Sequence, residues 1–255
     1  MLFGVIGGTG FYRLAEESSE RLHVDTRYGI VEACRVRVSG AEVAFVARHG
    51  TGHTVPPHRV NYRAIISALR ELGVRNILAS AAVGGISQTT PPGSLVVLTQ
   101  FLDFTHGRKS TFFDGEEGEV KHVDVTEPYC PRLRDELRDA ADAVGDRVIV
   151  GGTYACMQGP RFETPAEIRM LRLLGADVVG MTNVPEVVLA REAGICYATV
   201  AVVTNWAAGV TQERVEHEDV SEFMEQQAGR VRAVFEHVIA NHQDSDCLCR
   251  AWAQG

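Results

Sequence analysis

Between residues 159 and 209 the apolar positions change period several times. Residues 164–174 place Ile168, Leu171, Leu173 and Leu174 at close to helical spacing, with Glu and Arg between them. Thr164 suits the cap, Pro165 the first helical position, and Gly175 the stop. Residues 176–180 are an apolar run of strand length, and 185–192 return to the helical period. Residues 195–204 form a long apolar run rich in β-branched side chains, the pattern of a strand buried on both faces. The same reading gives strands at 2–6, 42–47, 74–82, 93–99 and 147–154, and helices at 59–72, 131–144 and 220–241. Stretches 103–114 and 121–130 keep no clean period and read as loops. Strand–helix alternation predicts an α/β fold, a central mixed, mostly parallel twisted sheet flanked by helices. No repeat or linker interrupts it, so one domain is expected over 1–243, followed by a polar tail at 244–255 that carries Cys247-Leu248-Cys249.

Composition narrows the function classes. A hydrophobic share of 45% with 23% charged residues is ordinary for a globular protein. No run approaches the roughly 20 apolar residues of a membrane span. The start, MLFGVIGGTG, lacks a basic leader and reads as a first strand, so the cytoplasm is the expected compartment. A net charge of −8 argues against a general nucleic-acid binder, which needs a basic face. The six cysteines show no pair of Cys-x-x-Cys zinc motifs. Cys156 and Cys196 lie in apolar runs and read as buried thiols. Cys247 and Cys249 read either as a strained disulfide or as part of a mobile end. His49, His53 and His58 invite a metal reading, but their Gly- and Pro-rich stretch forms no helical face and holds no carboxylate, so no metal is expected.

The candidate chemistry sits at element ends. Gly7-Gly8-Thr9-Gly10 follows the first strand and can turn tightly around an anion. It is neither a dinucleotide fingerprint, since Arg13 stands where the third glycine would fall, nor a P-loop. Arg48-His49-Gly50 ends a strand; an arginine there is a bidentate phosphate clamp if buried and a plain surface charge if not. Val83-Gly84-Gly85 reads as a second glycine turn. Phe162-Glu163 precedes a helix, Met181-Thr182 leaves a strand, and Asn205 follows the buried one. Ligands of α/β sheets bind outside the carboxyl ends of strands, where such residues can converge.

Three segments, GPRFET (159–164), GMTNVPEVVLARE (180–192) and VVTNWAAG (202–209), resemble the trimeric purine nucleoside phosphorylase and methylthioadenosine phosphorylase family. The similarity runs from IGGTG near the start to the helix before the tail. The resemblance implies the family's fold and its phosphorolysis of purine nucleosides, with phosphate as co-substrate and no cofactor or metal. It implies that Thr9, Arg48, His49, Ala82 and Thr182 line the phosphate, that Met181 packs beneath the ribose, and that Phe162 stacks on the purine. Glu163, Asn205 and Ala207 would meet the base, with His49, Glu163 and Asn205 carrying catalysis. His217 would meet the 5′ end, and His122 would reach a neighbouring subunit in a homotrimer or dimer of trimers.

Glu163 and Asn205-Trp206-Ala207 depart from the methylthioadenosine branch, which has a small hydroxyl residue and an Asp-aromatic-Asp run at these places. A 6-oxopurine offers an N1 proton and an O6 acceptor, which match a carboxylate at Glu163 and an amide at Asn205. A 6-aminopurine, with a bare N1, would leave Glu163 an unpaired acceptor at about 1–3 kcal/mol. The expectation is phosphorolysis of inosine and guanosine. The alternatives are a methylthioinosine or methylthioadenosine phosphorylase, a nucleosidase using water, and a non-catalytic purine-binding relative.

Overall fold

In a computed structural model the described residues are 2–7, 20–116, 118–212 and 216–251. Their strands are β1 (Phe3–Gly7), β2 (Glu20–Thr26), β3 (Gly29–Val38), β4 (Ala41–Ala47), β5 (Asn76–Gly85), β6 (Leu95–Phe104), β7 (Val148–Met157), β8 (Val178–Gly180) and β9 (Cys196–Trp206). The helices are α1 (Tyr62–Glu71), α2 (Pro131–Ala143), α3 (Pro165–Leu173), α4 (Asn183–Glu192), α5 (His217–Asn241) and α6 (Leu248–Ala251).

The expected mixed sheet is present. The strands form one sheet in the order β2-β3-β4-β1-β5-β8-β7-β6-β9, and β9 returns to pair with β5. Five strands therefore close into a ring. β5 makes this possible by dividing its edges. One edge pairs with β9 in parallel from Asn76↔Cys196 to Gly85↔Trp206. The other pairs with β1 as far as Ala79 and then with β8 at Gly84 and Gly85.

Both faces of the sheet are covered, which explains the continuous apolar runs. On one face Ile77, Tyr197, Ala201 and Val203 pack with Ile65, Ile66 and Leu69 of α1 and Val187 and Leu189 of α4. On the other, Leu78, Ala198, Val200 and Val202 pack with Leu133 and Leu137 of α2 and Val231, Val234 and Phe235 of α5. Thr164 caps α3 as expected, in a reciprocal box: its side chain accepts from Glu167 N, and the Glu167 carboxylate accepts from Thr164 N at 2.7 Å.

Three departures from the sequence pattern are informative. β2 and β3, a half-exposed hairpin with mixed polarity, carry too weak an alternation to stand out. Val83-Gly84-Gly85 is not a turn: β5 runs through it, and glycine is needed at 85 because a Cβ would collide with the Thr90 carbonyl oxygen. α5 begins at His217, three residues before the expected start. The described part of the tail folds back on the body, with Cys249 and Arg250 buried.

Candidate active site

One pocket collects the ends of four strands. β4 delivers Arg48 and His49, β5 delivers Ala81 to Gly84, β8 leads to Met181 and Thr182, and β9 ends at Thr204 and Asn205. Phe162, ahead of α3, stands at its rim, and Val220 closes it from the first turn of α5. The convergence follows from the parallel pairings of β1, β4, β5 and β9, which bring their carboxyl ends to one edge of the sheet.

Arg48 is nearly inaccessible, and most of its fork is already engaged. Nε and Nη2 donate to the Glu186 carboxylate of α4 at 2.7 and 2.8 Å, and Nη1 donates to the Ser80 carbonyl at 2.9 Å. Tyr197 Oη donates to the same carboxylate at 2.6 Å. Burial works against the guanidinium charge, and Glu186 more than restores it, so Arg48 stays firmly cationic. The bidentate face that the sequence suggested for phosphate is thus taken by Glu186. What Arg48 presents to the pocket is the remainder of its fork, fixed in place.

His49 is buried against a tight turn through Gly50, Gly52 and His53, all at positive φ. Its Nδ1 lies 2.8 Å from the Val55 carbonyl, an acceptor only, which fixes the proton on Nδ1 and orients the ring. The His53 ring stacks on it at 4.5 Å. Thr182 is buried at the cap of α4, its N–H donating to Tyr154 Oη at 3.1 Å.

At the far side, β9 bulges opposite Val83 and Gly84, so Thr204 is skipped in the ladder. The bulge turns both Thr204 and Asn205 toward the pocket. Thr204 Oγ1 donates to Asn205 Oδ1 at 2.7 Å, and Asn205 Nδ2 donates to the Trp206 carbonyl at 2.8 Å. The amide is held with its second N–H to spare.

Glu163 lies next to Phe162 but not on the pocket wall. Its Oε1 is buried with no hydrogen-bond partner. Arg161, the nearest cation in sequence, is committed to Glu167 at 2.7 and 2.9 Å. Burial, with Glu167 adding to it, pushes the Glu163 carboxyl up to about 7.

Of the sequence candidates, the pocket brings together Arg48, His49, Ala82, Phe162, Met181, Thr182 and Asn205. Ala207 packs behind Gly84 instead of lining it. His122 is exposed and away from the pocket. His217 opens α5, its side chain outside the described residues, as is the whole of Thr9. Thr204 and Val220 were not anticipated. A bulge leaves no mark in an apolar run, and Val220 reads as an ordinary helix position.

Residues 2–240 match the phosphorylase superfamily. The chain is 50% identical over 257 residues to the 6-oxopurine nucleoside phosphorylase of Pyrococcus furiosus, covering 98% of this chain and 97% of the relative. It is 52% identical over 237 residues to the probable S-methyl-5′-thioinosine phosphorylase of Methanopyrus kandleri, covering 92% and 91%. The solved structure of methylthioadenosine phosphorylase from Schistosoma mansoni with adenine superposes with a TM-score of 0.89 at 33% identity, covering 94% of this chain and 91% of that one.

Proposed function

The chain belongs to the phosphorylase superfamily, and from that premise we propose that it is a purine nucleoside phosphorylase that cleaves inosine and guanosine with inorganic phosphate. A phosphate oxygen bonds to C1′ as the C1′–N9 bond breaks; the electron pair leaves with the purine, which takes up a proton. The products are the free base and ribose-1-phosphate. Such chemistry requires an anion on one face of the sugar and stabilisation of negative charge on the departing base. Arg48, His49, Thr182, Ala82 and Thr9 hold phosphate in this reading. Met181 supports the ribose, and Phe162 stacks on the base. No cofactor is needed beyond the phosphate co-substrate.

The observation that carries the base preference is the buried, unpartnered oxygen of Glu163 beside the stacking Phe162. In this reading the Glu163 side chain turns onto the pocket wall to accept from the N1–H of a 6-oxopurine, and the spare N–H of Asn205 serves O6 or N7. The names of both relatives above 50% or at 50% identity fit this, because thioinosine and inosine carry the same 6-oxopurine. One observation favours a second reading for the 5′ end: Val220, an apolar side chain, lines the pocket, which suits a methylthio group.

The test is initial rates on inosine, guanosine, adenosine and methylthioinosine, with and without phosphate. Inosine or guanosine should exceed adenosine by up to about 10⁴, with no turnover in phosphate-free buffer. Asn205→Asp should lower the inosine rate and raise adenosine relative to it, since a carboxylate repels O6 and accepts from N6. Phosphate-independent release of ribose, or a wild-type preference for adenosine, would overturn the proposal. Methylthioinosine outpacing inosine would select the second reading.

Assembly belongs to the same proposal. Met170, Leu173 and Leu174 are exposed at the C-terminal end of α3, and Val120 is exposed near His122. These surfaces support a homotrimer, or a dimer of trimers, in which His122 approaches a neighbour's pocket. We place the enzyme in the cytoplasm, acting on small molecules and not on nucleic acid or membranes; among the described residues, no helix is long and apolar enough to cross a bilayer.

A further inference from the structure

At the end of the sheet opposite the pocket, four cysteines from three distant parts of the chain meet. Cys130 caps α2, Cys196 begins β9, and Cys247 and Cys249 flank the start of α6. Their sulfurs all lie within 4.8 Å of one another, and Cys130 and Cys247 are 3.6 Å apart. None is joined to another in a disulfide. Cys130, Cys196 and Cys249 are buried and Cys247 is half-buried.

We propose that these four thiols form a tetrathiolate site for one structural Zn²⁺. A zinc ion with bonds to sulfur of about 2.3 Å in a tetrahedron sets its sulfurs about 3.8 Å apart. The 3.6 Å of Cys130 and Cys247 matches that spacing, and the 4.8 Å span of the set needs only small shifts to close on a metal. Four soft donors and no oxygen ligand select zinc over magnesium or calcium, and a closed set of four leaves no position for substrate. Binding releases the four thiol protons and leaves the site with a charge of −2.

The surroundings are built for that charge. Arg132 Nη2 donates to Cys196 Sγ at 3.6 Å. Arg250, on the same turn as Cys249, is buried within electrostatic reach of Cys196. Asp244 and Glu136 pair with these arginines, yet the Nε–H of each is buried with no acceptor. Two buried cationic donors without partners are costly beside neutral thiols and well placed beside thiolates.

The site would fasten the C-terminal tail to the first residue of β9. Cys196 and Asn205 lie nine strand residues apart, about 30 Å, so the metal takes no part in catalysis.

The experiment uses the full chain, purified without chelator or added metal. Elemental analysis should find one zinc per chain. Exchange with Co²⁺ should give thiolate-to-cobalt charge-transfer and tetrahedral d–d absorption. Cys247→Ser and Cys249→Ser should lose the metal and that absorption, and lower Tm, while kcat on inosine at 25 °C is unchanged. Arg132→Gln should keep the fold and weaken zinc about 10–100-fold. An intact mass four units below that of the reduced chain, with no metal bound, means two disulfides and overturns the proposal. So do four freely titrating thiols in the native protein, or iron or copper at one per chain. The wild-type measurements decide even if a serine variant fails to fold.

Discussion

Glu163 is a buried carboxyl with an unpartnered oxygen, and in the proposed reading a 6-oxopurine supplies the missing donor. Its carboxyl is raised to about 7 by burial, with Arg161 committed elsewhere. The unfolded chain ionises this group near 4.5, so stability present below that pH is lost as the pH rises through the folded value. The loss approaches about 3 kcal/mol above pH 7. Glu163→Gln should therefore raise Tm at pH 8 and do little at pH 4, as differential scanning calorimetry would show. The same ionisation should appear in catalysis. kcat/KM on inosine should climb about tenfold per unit up to about pH 7 and then level. Dividing the wild-type profile by that of Glu163→Gln removes the second ionisation of phosphate, common to both. A flat quotient would mean that Glu163 does not read the base. The sequence placed this side chain just before a helix, and its role at the base came only from the family resemblance. Its lack of a partner was not legible there, since that depends on Arg161 choosing Glu167.

At the scale of the element, α4 and β4 are locked together by a buried pair. Arg48 on the strand end and Glu186 on the helix are both inaccessible, and removing one partner strands the other, typically at 3–5 kcal/mol. Arg48→Ala should therefore lower Tm as well as raise the apparent KM for phosphate. A double variant separates the two effects. Arg48→Met with Glu186→Gln removes both charges yet keeps an acceptor for Tyr197, and should recover most of the stability and none of the phosphate binding. Recovery of both, measured by thermal unfolding and phosphate titration, would show Arg48 to be structural only. The sequence left Arg48 as either a buried clamp or a surface charge, and gave no hint of Glu186. Its helix reads only as a helical period over 185–192, and the pairing joins positions far apart in the chain. Likewise the buried strands β5 and β9 were plain from their apolar runs, while their closure with β8, β7 and β6 rests on pairings that no local pattern encodes.

The whole molecule has the candidate active-site pocket at one end of β9 and a thiol cluster at the other. Some large apolar side chains remain exposed. Leu173 is 88% exposed, and Met170 and Leu174 on the same helix end are 40% and 53% exposed. A patch of that kind on a globular chain marks a contact surface. Sedimentation at assay concentration should give a trimer or hexamer, and Leu173→Glu should shift the boundary toward the monomer. An active wild-type monomer would show that one chain suffices.

The ring of strands also governs the order in which this protein can be made. Asn76 pairs with Cys196 and Gly85 with Trp206, so the central ladder joins an early segment to a late one. A ribosome must deliver nearly the whole chain before β5 meets its longest neighbour, and until then its Ile77, Leu78 and Ala79 have only β1 beside them. Chains dominated by such distant pairings fold slowly and expose unpaired edges on the way. For this protein, the interval of greatest exposure to chaperones and to aggregation falls late in translation, after β5 has emerged and before β9 is complete.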